Sequence, residues 1–111
     1  MKGSESEADF AALGRPAALL VGPRVSRNLR LSKDLRRDGL EVLSAEWAWE
    51  ALDIYRFVGP RVTVVLVDEQ LAGDDPRAVV VALHRLDPGV RTMLVTARQR
   101  TWSRFRLPRC S

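Results

Sequence analysis

The aspartate that ends the most apolar stretch of the chain is the first candidate for chemistry. Val64 to Val67 are four consecutive branched apolar residues, and Asp68 follows them directly. Such a run is typical of a central strand in a parallel sheet that helices cover on both faces. Because ligands bind at the carboxyl ends of such strands, Asp68 lies where chemistry commonly takes place. A turn or a helix cap also explains an aspartate here, and spacing alone favours the cap.

Few other residues have the type and spacing that chemistry needs. Asp74 and Asp75 follow Asp68 closely enough to suggest a carboxylate cluster for a metal, but a turn and a helix cap account for both. His84 has neither a second histidine nor a carboxylate at ligand spacing, so we interpret it as a partly exposed helix residue. The sequence contains no glycine-rich phosphate loop, no Ser-His-Asp set and no zinc-ligand spacing.

Length and composition limit the classes of protein that the sequence can represent. With 111 residues, of which 46% are apolar and 29% charged, the chain has room for one domain with one core. Its single cysteine, Cys110, excludes a disulfide framework and a clustered thiolate metal site. The acidic, polar N-terminus does not resemble a signal peptide, and no apolar run approaches the ~20 residues that span a bilayer. These features predict a cytoplasmic protein.

The positive charge of the chain is concentrated at its C-terminal end. The formal net charge is +4, but the last fourteen residues contain five arginines and no acid, and without those five charges it becomes −1. Trp102 and Phe105 lie among these arginines, a combination that can stack on bases and contact phosphates. A frayed or artificial terminus is the interpretation that we favour, so nucleic acid is not the expected partner.

The elements that must position Asp68 alternate between strand and helix patterns. Short apolar runs predict strands, and apolar residues at i, i+3, i+4 and i+7 predict helices, with Gly39, Gly59-Pro60 and Asp87-Pro88-Gly89 as stops. The strands are predicted at Ala17–Val21, Leu40–Ser44, Val62–Val67 and Val90–Val95, and the helices at Val25–Asp38, Ala45–Val58 and Pro76–Leu86, the last with Asp75 as its cap. This alternation implies right-handed crossovers and a parallel sheet.

Three segments of the sequence, taken together, support a family resemblance. They are GLEVLSAEWAWEAL, VVLVDEQLAGDDP and LHRLDPGVRTMLVTA. In order, they resemble the second strand and helix, the phosphoacceptor strand and loop, and the third helix and switch position of a receiver domain. From Leu19 to Ala97 the chain is therefore similar to the receiver domain of bacterial two-component response regulators.

The resemblance implies a fold and three site residues. The fold is α/β, a doubly wound parallel sheet of the flavodoxin-like receiver type, with about four strands and three helices and without most of the last βα unit. Asp68 would be the phosphoacceptor, Thr96 the switch hydroxyl, and the backbone carbonyl of Gln70 a metal ligand if Mg²⁺ binds. The expected division is a flexible polar leader at residues 1–15, a receiver-like domain at 16–97 and a basic tail at 98–111.

The departures from the receiver pattern indicate a degenerate member. Receivers hold Mg²⁺ with a pair of acids after the first strand, because this hard cation prefers oxygen ligands and neutralises the transferred phosphoryl group. This chain has Gly22-Pro23-Arg24 at that position, and no lysine follows the fourth strand. We therefore expect no cofactor, with Mg²⁺ binding unlikely, and we expect acids introduced at positions 22 and 23 to restore metal affinity.

These features lead to a functional hypothesis with two alternatives. The hypothesis is a pseudo-receiver module of a two-component phosphorelay, not an enzyme, that contacts a protein partner such as a histidine kinase or an output domain. Trp47 and Trp49 lie on either side of the apolar stripe of the second helix, so at least one of them should face outward. An outward tryptophan is either an anchor for a partner or packed against loop residues. The fourth strand would be an exposed edge, which favours a homodimer or aggregation. The alternatives are a nucleic-acid-binding protein that uses its tail, and a truncated product without independent function.

Overall fold

The computed structural model describes residues 15–96, and the expectations for the leader and the basic tail lie outside this range. The described chain alternates strictly between strands and helices. Its elements are β1 (Ala17–Val21), α1 (Ser26–Arg37), β2 (Glu41–Ala45), α2 (Ala48–Val58) with a short 3₁₀ turn (Gly59–Arg61), β3 (Val62–Asp68), α3 (Pro76–Leu86) and β4 (Thr92–Val95).

The four strands form one parallel sheet in the order β2-β1-β3-β4. Because the chain order reverses direction between β1 and β3, the sheet has a switch point there, and the carboxyl ends of both central strands border it. Val21 pairs with Val67 at this end, and Asp68 pairs with Val95 of β4. The predicted α/β fold with a doubly wound parallel sheet is therefore confirmed.

Apolar side chains pack on both faces of the sheet. One cluster joins β1 and β3 to α2 and α3, and the other joins the same strands to Leu31 and Leu35 of α1. Val64, Leu66 and Val95 on this second face are fully buried.

Half of the fourteen element boundaries coincide with their predicted positions, and the other half differ by one to three residues. Helix α2 begins at Ala48, so Trp47 is its N-cap residue and lies outside the helix. Helix α3 has the predicted bounds, and Asp75 caps it by accepting a hydrogen bond from the backbone N–H of Arg77 at 2.9 Å. Gly39 follows α1 with φ +88°, a conformation that favours glycine, as the predicted stop requires.

The buried face of α1 agrees with the predicted one except at Leu29. From the sequence, Val25, Leu29, Leu31 and Leu35 lie on one broad arc with Asn28 and Ser32 in its middle. Asn28 and Ser32 are buried, but Leu29 is 57% exposed. Asn28 faces the carboxyl edge of the sheet, where it contacts Asp68. Across residues 15–96, every helix is too short or too polar to cross a lipid bilayer.

Candidate functional site

Asp68 is the last residue of β3 and lies at the switch point of the sheet. Its side chain is fully buried, although an aspartate is seldom buried without partners. The strand position explains this placement, because Val64 to Val67 are enclosed on both faces and carry the next residue to the covered carboxyl edge. The role of this buried carboxylate therefore depends on the hydrogen-bond donors that surround it.

Three protein donors occupy the carboxylate of Asp68. The guanidinium of Arg27 donates from Nη2 to Oδ1 at 2.7 Å, and the backbone N–H of Gln70 donates to the same oxygen at 2.7 Å. The side-chain amide of Asn28 donates to Oδ2 at 2.8 Å. Charge-assisted bonds of this length are among the stronger hydrogen bonds in proteins. The carboxylate thus has a donor on each oxygen and a cation beside it.

The orientation of Asn28 follows from its two partners. Its Nδ2 atom donates to the carbonyl of Pro23 at 2.8 Å as well as to Asp68, so both partners are acceptors and the amide nitrogen must face them. The opposite atom, Asn28 Oδ1, is buried without a hydrogen-bond partner within the described part of the chain, as is Arg27 Nε. The cluster is therefore well ordered around Asp68 but leaves one acceptor and one donor unused.

Gly22 provides the space that this arrangement needs. A Cβ atom at this position would lie 2.5 Å from Cβ of Asp68, which is closer than real carbon atoms approach, and the φ of Gly22 is +154°. The expectation that acids at positions 22 and 23 restore metal affinity stays a prediction. At Gly22 a side chain requires the surrounding structure to shift, because its Cβ atom would meet Asp68.

The residues at the carboxyl edge do not fit Mg²⁺. This ion needs oxygen ligands in near-octahedral geometry, but Arg27 and the Gln70 N–H occupy one carboxylate oxygen and Asn28 nitrogen occupies the other. Gly22 and Pro23 supply no side-chain oxygen. Residues 15–96 also contain no group of three or more His, Cys, Asp or Glu side chains arranged to hold a metal ion.

The other residues implied by the resemblance lie at the same edge. Thr96 follows β4 directly and is half-buried, next to the pairing of Asp68 with Val95. Gln70 contacts Asp68 through its N–H, in the local turn that aspartate commonly forms two residues on. The phosphoacceptor and switch roles of Asp68 and Thr96, and the role of the Gln70 carbonyl as a ligand, stay predictions.

The remaining candidate residues have ordinary structural positions. Asp74 is exposed in the loop before α3, and Asp75 is the cap already described. His84 is half-buried in α3, with Nε2 3.5 Å from the hydroxyl of Thr92. These positions agree with the turn, cap and helix interpretations made from the sequence.

The two tryptophans before and in α2 both reach the surface. Trp47 is 44% exposed and its ring lies against Gly73, where an added Cβ would be 3.7 Å away. Trp49 is 65% exposed, and Phe57, two turns further along the helix, is 90% exposed. The prediction that at least one tryptophan faces outward is confirmed, and Trp47 also packs on a loop.

The largest change in pKa occurs away from Asp68. The hydroxyl of Tyr55 donates a hydrogen bond to Asp87 at 2.6 Å. Burial, followed by this hydrogen bond and the charge of Asp87, raises the pKa of Tyr55 well above its usual range. The bond from Tyr55, then that from the Gly89 N–H, lowers the pKa of Asp87. This hydrogen bond joins the end of α3 to α2, so both pKa shifts arise from a structural contact.

Arg27 and Asn28 are the site residues that sequence reasoning missed. A signal existed for Asn28, because it lies in the middle of the apolar arc of α1, where a buried polar side chain needs a partner. No pattern identified Arg27, since it is one of several arginines on that helix. Its contact with Asp68 joins residues 41 positions apart and depends on how α1 crosses the sheet.

Comparison with solved structures places this geometry in a known fold. A CheY-like response regulator receiver domain protein from Methanospirillum hungatei has a TM-score of 0.66 and 23% identity, over 74% of this chain and 64% of that one. The chain has a receiver-like fold. CheY in a CheX-CheY-BeF3-Mg complex from Borrelia burgdorferi has a TM-score of 0.65 and 18% identity, over 78% of this chain and 66% of that one.

These similarities extend over only part of each receiver. The chain spans slightly less than two thirds of the length of both receiver chains. No protein-family model matches the sequence. No curated protein matches it either. The shared property is therefore the fold, and the function must be argued from the site.

Proposed function

We propose that the chain is a receiver-like signalling module without enzymatic activity, which acts through contact with a protein partner and not through phosphorylation of Asp68. The observation that carries this proposal is the enclosure of Asp68. Its carboxylate is fully buried and accepts hydrogen bonds from Arg27, Asn28 and the Gln70 N–H. In this state the module has the shape of a receiver and lacks an accessible phosphoacceptor.

The chemistry of phosphoryl transfer explains why this enclosure matters. An attacking oxygen must reach the phosphorus in line, and cations must stabilise the charge on the transferred group. Here the Arg27 guanidinium supplies one positive charge, but it lies on Oδ1 itself and blocks that oxygen. Arg27 thus neutralises the charge of Asp68 within the folded protein. This pairing favours one constant state of the module over a cycle of phosphorylation and dephosphorylation.

A module of this kind would transmit its signal by contact with a protein partner. One structural neighbour of the chain was solved in a complex with another protein, CheX. Two exposed aromatic side chains of α2, Trp49 and Phe57, offer anchors of the type that dominates protein interfaces. A histidine kinase or an output domain remains the class of partner that we infer from the receiver-like fold.

The proposal is tested by incubating the full chain with acetyl phosphate and Mg²⁺ and measuring the intact mass. We expect no phosphorylated species, and we expect proteins captured from the native cell by the chain to be the same with and without the phosphodonor. The variant Arg27→Ala is examined in parallel, because it removes the guanidinium from Oδ1 without altering Asp68. An acyl phosphate on wild-type Asp68, or partner capture that requires the phosphodonor, contradicts the proposal.

A further inference from the structure

The charges of the described chain are segregated, although their sum is close to zero. The segment of residues 24–38, which contains α1, carries six Lys or Arg and two Asp side chains, for a net charge of +4. The other described residues carry six cationic and nine acidic side chains, for a net charge of −3. A near-neutral total therefore conceals one basic helix on an otherwise acidic domain, and such a surface attracts anionic partners.

A groove runs beside this helix, between α1 and the edge strand β2. It consists of two cavities, of about 460 Å³ near the start of β2 and about 140 Å³ near its end. Arg36 lines both of them, so the two cavities lie on either side of the same α1 side chain, and we treat them together as the α1–β2 groove. Arg15 lines the larger cavity, and Arg24 lines the smaller one together with Leu20 and Leu29.

The arginines of this groove lack acidic partners in the described structure. Within residues 15–96, no ion pair is formed by Arg15, Arg24 or Arg36, whereas Arg27 and Arg61 do form ion pairs. Arg61 occupies the carboxylate of Glu41 at the larger cavity, so that acid does not compete for the groove arginines. Three guanidinium groups thus remain spaced along the α1–β2 groove.

An apolar element accompanies these charges. Leu29 is 57% exposed at the rim of the smaller cavity, with Leu20 and Pro23 also in its lining. An exposed leucine between Arg24 and Arg36 is matched by an apolar side chain flanked by carboxylates. The volume of about 140 Å³ is suited to one side chain and not to a large ligand.

We propose that the α1–β2 groove binds an extended acidic segment of a partner protein. Its carboxylates contact Arg15, Arg24 and Arg36, and one apolar side chain enters the smaller cavity beside Leu29. This inference rests on the proposed function as a protein-interaction module and specifies the surface and the chemistry of the partner. It differs from the aromatic face of α2, which lies on the opposite side of the sheet.

The composition of the groove favours a protein over a nucleic acid. A phosphate backbone presents continuous negative charge and needs no apolar cavity, but here Leu20, Pro23 and Leu29 line one part. Glu46 lies at the same cavity and repels a uniform polyanion more than it repels a segment with spaced carboxylates. Specific recognition therefore requires both an acid and an apolar side chain in the ligand.

The test uses a fluorescein-labelled peptide rich in Glu and Gly with a single Leu, titrated with the full chain by fluorescence anisotropy. Two matched peptides replace Glu with Gln, or Leu with Gly. We expect saturable binding of the first peptide alone, and a loss of about tenfold in affinity for Arg24→Gln/Arg36→Gln, since two charge pairs are removed. Leu29→Ser should also weaken binding of the first peptide.

The control variant is Arg77→Gln/Arg85→Gln, which removes two exposed arginines from α3 on the other side of the sheet. An equal loss in this control overturns the proposal, because the effect would then reflect net charge. Tighter binding of oligothymidylate than of the acidic peptide, lost in Arg24→Gln/Arg36→Gln, assigns the groove to nucleic acid instead. A large gain in peptide affinity when Glu5, Glu7 and Asp9 become Gln assigns it to the N-terminal segment of the chain.

The peptide titration and the phosphorylation assay are separate measurements. Failure of peptide binding with an unphosphorylated Asp68 refutes the groove assignment and leaves the proposed function intact. Phosphorylation of Asp68 together with peptide binding through Arg24 and Arg36 refutes the proposed function and leaves the groove assignment intact. The two proposals can therefore fail separately.

Discussion

Removing Arg27 tests whether the enclosure of Asp68 contributes to the stability of the fold. Arg27→Met keeps most of the aliphatic stem and removes the guanidinium, so Asp68 retains only Asn28 and the Gln70 N–H as donors. Breaking a buried ion pair costs about 3–5 kcal/mol. Because the Arg27 side chain is 20% exposed, water can replace part of its contact, and we expect a loss of about 2–3 kcal/mol.

Asp68→Asn tests the same cluster from the other side. The substitution preserves size and removes the charge, but all three partners of Asp68 are donors. In either orientation, the new amide directs its own NH₂ group at a donor, at Asn28 or at Arg27 and the Gln70 N–H. An unsatisfied buried group costs about 1–3 kcal/mol, so this nearly isosteric change should destabilise the fold by about 2 kcal/mol.

The two substitutions must be coupled if Arg27 and Asp68 act as a pair. In Arg27→Met/Asp68→Asn the charge and its partner leave together, so the double variant should lose less stability than the sum of the singles, by about 1–3 kcal/mol. Urea denaturation measures this directly from the midpoints, provided that the slope m is unchanged. Additive losses, within about 0.5 kcal/mol, would refute the view that the pair is an energetic unit.

Three further outcomes follow from the described contacts. Gly22→Ala should cost at least about 2 kcal/mol more than Gly39→Ala, because both glycines have positive φ but only Gly22 meets a side chain, that of Asp68; equal losses by thermal unfolding would contradict this. Millimolar Mg²⁺ should leave tryptophan fluorescence and the thermal midpoint unchanged, whereas a saturable response contradicts the donor geometry. Tyr55→Phe should lose about 1 kcal/mol with its hydrogen bond to Asp87. Since the folded state raises the pKa of Tyr55, the wild type keeps this contribution below the unfolded value of about 10 and loses it at higher pH, and the Phe variant should lack that alkaline slope in denaturation measured against pH.

The fold was predictable because its signals are local. Val64 to Val67 need cover on both faces, Gly39 stops α1 with positive φ, and Asp75 caps α3 through its own side chain. Each of these features depends on neighbours in sequence, and together they imply alternating strands and helices. The errors at Trp47 and Val90 concern the ends of elements, where the apolar pattern continues beyond the hydrogen-bonded region.

The site was only partly predictable because its contacts are distant in sequence. The position of Asp68 followed from the strand that it ends. Its partners Arg27 and Asn28 lie 41 and 40 residues earlier, and their contacts depend on the rotation of α1, which placed Leu29 outward against expectation. A net charge contains no information about where the charges lie, so the near-neutral total did not by itself predict the basic segment at residues 24–38.

Asn28 connects the groove to the aspartate. Its side chain lines the smaller cavity beside α1, and its Nδ2 atom holds Oδ2 of Asp68. A segment that occupies the groove therefore contacts a residue that determines the state of Asp68. By thermodynamic reciprocity, if a segment in the groove alters the equilibrium between two states of the Asp68 cluster, those two states differ in their affinity for the segment by the same factor. This coupling requires that the partner distinguishes two positions of α1.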